Sequence, residues 1–165
     1  MKNLLIPFCA MLLICGCASN EHYIEYTVED ASFTFEGPLF SGPNSAQSEL
    51  VIDLASILDS LQLDASHIHH VALKEAVIEA DSLPFSGINS FVLQCTGNES
   101  PMVQAAVLNP VTPGMSATLT PAADADLAAI FKEGTCYALL DSDIAEDADT
   151  TITMYGTFKF MIHVK

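Results

Sequence analysis

The sequence predicts an all-β fold, an antiparallel β-sandwich of Ig-like or Greek-key type carrying one or two short helices, with a half-open barrel as the rival architecture. Three observations predict it. From Ile152 onward the even positions read Ile152, Met154, Gly156, Phe158, Phe160, Ile162 and Val164, while the odd positions read Thr153, Tyr155, Thr157, Lys159, Met161, His163 and Lys165. That period of two marks a strand with one face on a core and the other toward solvent. Further short apolar segments bring the count to eight or nine strands, separated at regular spacing by turn residues. No heptad, internal repeat or low-complexity linker interrupts the pattern.

Taken in order, Ile24, Tyr26 and Val28 alternate with polar neighbours, and Phe33 and Phe35 do likewise. Gly37-Pro38 and Gly42-Pro43-Asn44 read as turns. Over Val51 to Leu61, the spacing of Leu54, Ile57, Leu58 and Leu61 predicts a short helix, with Asp53 placed to cap its start. Val71 and Leu73 lead into a second apolar run from Ala76 to Ala80. Phe91, Leu93 and Cys95 make one face of the next strand, and Thr96-Gly97-Asn98 turns it. Met102 to Leu108 is more uniformly apolar, as a central strand would be. A loop follows from Asn109-Pro110 to Pro113-Gly114, and then a strand over Ala117 to Leu119. Leu127, Ile130 and Phe131 form a helical stripe in Asp126 to Glu133, with Gly134 as the C-terminal cap. Cys136 to Leu140 precedes the final strand, in which Gly156 predicts a bulge or bend.

The chain opens with Lys2, an apolar run from Leu4 to Ile14, and Cys15-Gly16-Cys17-Ala18-Ser19. A cationic start, a short apolar stretch and a small-residue cleavage region make a secretory signal, too short to span a bilayer at roughly 20 residues. Ile14-Cys15-Gly16-Cys17 resembles the lipobox of bacterial lipoproteins, an aliphatic residue and two small residues before cysteine. The resemblance implies cleavage before Cys17 and lipidation of Cys17 as a diacylglyceryl cysteine with added palmitate. An ordinary signal peptide cleaved nearby is the alternative. Ala18 after the cysteine, by the same resemblance, implies residence in the cell outer membrane. The division expected is a signal peptide over 1–16, a lipidated tether over 17–21, and one domain over 22–165. The run of features also loosely resembles the uncharacterised β-sandwich lipoproteins of the Bacteroidetes type, from which no function is carried.

Removing sixteen residues from 165 leaves 149, enough for one domain with a real core. The chain carries 5 Lys and Arg against 21 Asp and Glu, for a net charge of −16, and arginine is absent. Loss of Lys2 with the signal takes the charge to −17. Nucleic acid is thereby excluded as a partner, because its recognition rests on cationic contacts. The acidic balance favours solubility, divalent cations or basic partners. Past Cys17 only Cys95 and Cys136 remain. In an oxidising envelope they can form a disulfide, worth roughly 4 kcal/mol in the chain-entropy account, or stay as two buried thiols.

Two constellations could hold a metal. His67, His69 and His70 follow Asp64, and in an extended strand His67 and His69 share a face, which suits zinc. Asp141, Asp143, Glu146, Asp147 and Asp149 read as an acidic loop whose oxygens could take calcium, although the spacing is not that of an EF-hand. Each has a plain alternative, a solvated strand entrance and a solvated charge run. No Gly-x-Ser-x-Gly, P-loop, His-Glu-x-x-His or dinucleotide fingerprint occurs. The expected function is a non-enzymatic, lipid-anchored binding or structural module of the bacterial cell envelope, meeting another protein or a glycan. A metal-binding envelope protein is the alternative, and a small hydrolase the third reading.

Overall fold

A computed structural model describes residues 21–165. The lipobox and its Cys17 lie outside the described residues. Eight antiparallel strands carry the fold: β1 (His22–Phe35), β2 (Gly42–Val51), β3 (Ile68–Ala80), β4 (Ile88–Thr96), β5 (Val103–Leu108), β6 (Ser116–Pro121), β7 (Thr135–Ile144) and β8 (Ile152–Val164). Helix α1 (Ala55–Ser60) and a 3-10 turn (Ala65–His67) separate β2 from β3, and α2 (Ala128–Lys132) precedes β7. The all-β expectation holds at this level. The strands form one nearly closed, barrel-like sheet in the order β1-β8-β3-β6-β5-β4-β7-β2. β5 and β6 share only Ala106↔Pro121 and Val107↔Thr120. At the other seam the Tyr26 hydroxyl links β1 to β2 by donating to the Val51 carbonyl at 3.3 Å.

The pairing has a nested order: β1 with β8, β2 with β7, β3 with β6, and β4 with β5. A chain folded once upon itself between β4 and β5, then rolled, gives those four pairs. Rolling adds β8 beside β3 and β7 beside β4. The inward face of every strand then meets a common core.

Two bulges let long strands stay on that core. In β1 the inward set changes from even positions (Ile24, Tyr26, Val28) to odd ones (Ala31, Phe33, Phe35), and the register slips between Val28 and Ala31. Asp30 takes φ 55° there, a left-handed conformation that aspartate tolerates better than most residues. β3 does the same between Leu73 and Glu75, passing from Val71 and Leu73 to Ala76 and Ile78. An extra residue flips the parity of all that follow, so each bulge keeps apolar side chains inside a curving strand. The bend expected at Gly156 is instead in its partner, since Gly156 faces Ala31 just past the β1 bulge. Its role is close packing: a Cβ there would stand 2.8 Å from Phe158 Cε2 and 3.0 Å from Phe33 Cε2.

Three local expectations are corrected. Gly42-Pro43-Asn44 begins β2 rather than a turn, because all ten residues of β2 pair with β7. The first helix is shorter than Val51 to Leu61, and Leu54, not Asp53, is its N-cap, with no side-chain cap. Val51 belongs to β2, and the Asp53 N–H is taken by the Tyr26 hydroxyl at 3.1 Å. The second helix follows the sequence closely. Leu127, Ile130 and Phe131 are buried and Gly134 closes it at φ 76°, a conformation glycine reaches without a Cβ penalty.

Candidate functional site

Strand directions sort the connections onto two ends. One end has the segments 52–67, 97–102 and 122–134, together with the start of β1 and the end of β8. The opposite end has the loops 36–41, 81–87, 109–115 and 145–151. At about 3.3 Å per residue, the thirteen residues of β8 separate the two ends by roughly 40 Å of strand.

The loop end holds a cleft of about 540 Å³ between 83–88 and 144–154. Phe85, Ile88, Ile144 and Met154 form its buried apolar wall, while Leu83 stands 64% exposed beside it and Phe40 is 65% exposed in the neighbouring loop. Backbone bonds tie these loops together. Leu39 and Ala148 exchange N–H···O bonds of 2.7 and 2.9 Å, Ala145 donates to the Gly87 carbonyl at 2.8 Å, and Phe85 donates to that of Gly114 at 2.8 Å. The Ser41 N–H donates to Asp147 Oδ1 at 2.7 Å. Glu36, Asp81, Glu146, Asp147 and Asp149 lie in three of the four loops, and none of the four carries Lys, Arg or His. All five histidines lie at the other end. An apolar recess with a purely acidic surround attracts cationic or polar partners and repels anionic ones.

The histidine triplet is dispersed. His67 sits in the 3-10 turn, not in a strand with His69, because Asp64 caps that turn: its Oδ1 accepts from the Ser66 N–H at 2.8 Å and lies 3.1 Å from His67 Nδ1. The Ser66 hydroxyl and N–H, together with His67, hold the Asp64 carboxyl below its ordinary value. His69 falls in a register shift of β3 and its ring lies 6.1 Å from that of His163, which stacks on Tyr23 at 4.7 Å. His70 Nδ1 lies 3.1 Å from Asp126 Oδ1. The three imidazoles thus have three different neighbours.

The acidic run is likewise not one loop. Asp141 and Asp143 belong to β7 and only Glu146, Asp147 and Asp149 follow it. Asp141 accepts from the Ser45 hydroxyl at 2.5 Å on β2 and from Gln94 Nε2 at 3.0 Å on β4. Asp143 accepts from Asn89 Nδ2 at 3.3 Å. Period two sends both carboxylates to the outer face of the barrel. Among the described residues no group of three or more His, Cys, Asp or Glu is arranged to hold a metal ion.

Cys95 on β4 and Cys136 on β7 are free thiols, both buried. Two carboxylates unremarked in the sequence organise loops at the helical end. Glu133 accepts from the backbone of Asn98 at 2.5 Å and of Glu99 at 3.1 Å and from the Ser100 hydroxyl, which hold its carboxyl below the usual range. Asp126 accepts from the N–H groups of Val71 and Ala128, both at 3.0 Å. Partial burial pushes the Asp126 carboxyl up, but those N–H groups and His70 outweigh it and the net shift is downward. A lone acidic residue facing a distant backbone leaves no mark in sequence, so neither was legible there.

No protein-family model and no curated protein matches the chain. Among solved structures, one from Desmodium yellow mottle tymovirus is similar over 99% of this chain and 95% of that chain, at 11% identity and a TM-score of 0.28, a likeness too low to carry any argument.

Proposed function

We propose that the chain is a non-enzymatic, lipid-anchored binding module of the bacterial cell envelope, tethered at the helical end and holding its ligand at the loop end. The observation that carries this reading is the polarity of the barrel. Glu21, four residues past Cys17, pairs with Lys165 at 3.3 Å and with His163 at 3.7 Å at the end opposite the cleft. An anchor at Cys17 therefore turns the cleft and the exposed Phe40 and Leu83 away from the bilayer. An acidic barrel does not adhere to anionic lipid heads, so the acyl chains supply the attachment, stable where two or more insert.

The nested pairing supports a finer reading of the fold. Eight strands in two Greek keys, with β1-β8-β3-β6 on one side and β2-β7-β4-β5 on the other, describe a jelly roll, the double-sheet form of the sandwich. The binding reading favours a protein segment or glycan offering cations or hydroxyls to the acidic surround. Within the cleft the Ser86 hydroxyl donates only to the Pro84 carbonyl at 3.5 Å.

The test has two readouts in an expressing bacterium. Fatty-acid labelling should mark the wild type and be lost with Cys17→Ser, which should move to the soluble fraction; labelling that survives overturns the anchor. A photo-crosslinking residue at position 83 should trap an envelope protein or glycan, whereas one at exposed Gln47 in the middle of β2 should not. Equal capture at both positions, or none at 83, overturns the assignment of the loop end.

A further inference from the structure

We propose that Cys95 and Cys136 close an intrachain disulfide while the chain folds, and that folding then seals the pair against later redox chemistry. The inference rests on the export reading for its oxidising compartment. Its geometry comes from β4 and β7. Cys95 is in register with Ala138, so Cys136 lies two residues along the neighbouring strand and on the same inward face. Cys95 is 1% exposed and Cys136 0%, and Cys136 is close enough to raise the Cys95 thiol. The pair therefore shares the inward face of two neighbouring strands that meet only when the sheet forms.

Timing follows from burial. The neighbouring Cys136 thiol and removal from water push the Cys95 thiol well above its ordinary value. Thiolate, not thiol, attacks a disulfide, and the attacking sulfur must be reachable. A folded, reduced barrel offers neither condition. On the folding chain both cysteines are still open. One thiolate attacks an exogenous disulfide, such as glutathione disulfide or an envelope oxidoreductase, releasing one thiol and leaving a mixed disulfide. The second cysteine then attacks the protein sulfur of that mixed disulfide, the Sγ–Sγ bond forms, and a second thiol leaves. Two electrons and two protons pass to the oxidant, and closure of the barrel hides the product.

Two experiments test this. The full chain, denatured, reduced and refolded in glutathione redox buffer, should give a monomer in which non-reducing peptide mapping finds the Cys95 and Cys136 peptides joined and lighter by two hydrogen atoms. Folded reduced protein placed in the same buffer should keep both thiols, unreactive to an alkylating agent until denaturant is added. Refolded protein with both cysteines alkylatable overturns the bridge, and folded protein that oxidises as fast as the refolding chain overturns the sealing. Protein alkylated at lysis of an expressing bacterium should show the joined peptides. If the bridge forms on refolding but the cellular protein is reduced, the pair stands and the export reading fails.

Discussion

The Tyr26 hydroxyl joins β1 to β2, donating to the Val51 carbonyl and accepting the Asp53 N–H at 3.1 Å, at the one seam of the barrel that no strand ladder closes. The Tyr26 ring also packs edge-on against Phe131 at 6.5 Å, so the bridge is braced by α2. Tyr26→Phe keeps the ring and removes both bonds. Loss of about 1 kcal/mol is expected, read as a lower urea midpoint with unchanged slope. Hydrogen exchange at Asp53 should quicken more than in β8. An unchanged midpoint would show that the seam holds without it.

Gly156 leaves the space that the buried Phe158 ring fills, and Phe33 packs edge-on to that ring at 6.2 Å. Gly156→Ala should destabilise by about 1–3 kcal/mol, because neither ring can withdraw from a packed core. Thermal unfolding measures it. A neutral result would mean that the rings move aside.

Ser142 is fully buried on β7, and among the described residues its hydroxyl has no hydrogen-bond partner. An unmet buried polar group is costly, whereas a methyl of similar size is not. Ser142→Ala should raise stability by about 1 kcal/mol. A lowered urea midpoint would count against the assignment.

Asp126 predicts a pH dependence. Its carboxyl is held below the ordinary value, so its contribution is complete above the unfolded pKa of about 3.9 and is lost as pH falls through the lower folded value. The side chain is 48% exposed, so solvent screening limits the figure. Asp126→Ala should cost about 1 kcal/mol near neutral pH. The gap from wild type should close as the medium is acidified below that range; a gap constant with pH would remove the charged form from the account.

Asp141, Asp143 and Asp147 each have their own protein donors on separate elements. Calcium or a chelator should therefore leave the melting temperature unchanged. A calcium-dependent rise would restore the metal-site reading.

The sequence by itself determined the strands whose inward faces are apolar. β4, β7 and β8 are legible because burial repeats every second residue and the repeat is local, and β5 because its residues are mostly apolar. It also determined α2 and its glycine stop. The broken alternation in β1 and β3 read as separate short segments, since a bulge is invisible until a partner strand reveals the extra residue at Glu29-Asp30 or Lys74. Only the tertiary structure made a strand of β2, whose GPNSAQSELV buries just Ala46 and Leu50; the ladder to β7 outweighs its turn-like composition. Candidate sites divide the same way. Residue types showed that histidines and carboxylates were abundant, but not which would meet. Asp126 and Glu133 found backbone partners that depend on chain path, and the cleft exists because four loops distant in sequence share one end. Pattern along a chain reports which side of a strand is wet; closure of the sheet decides what lies beside it.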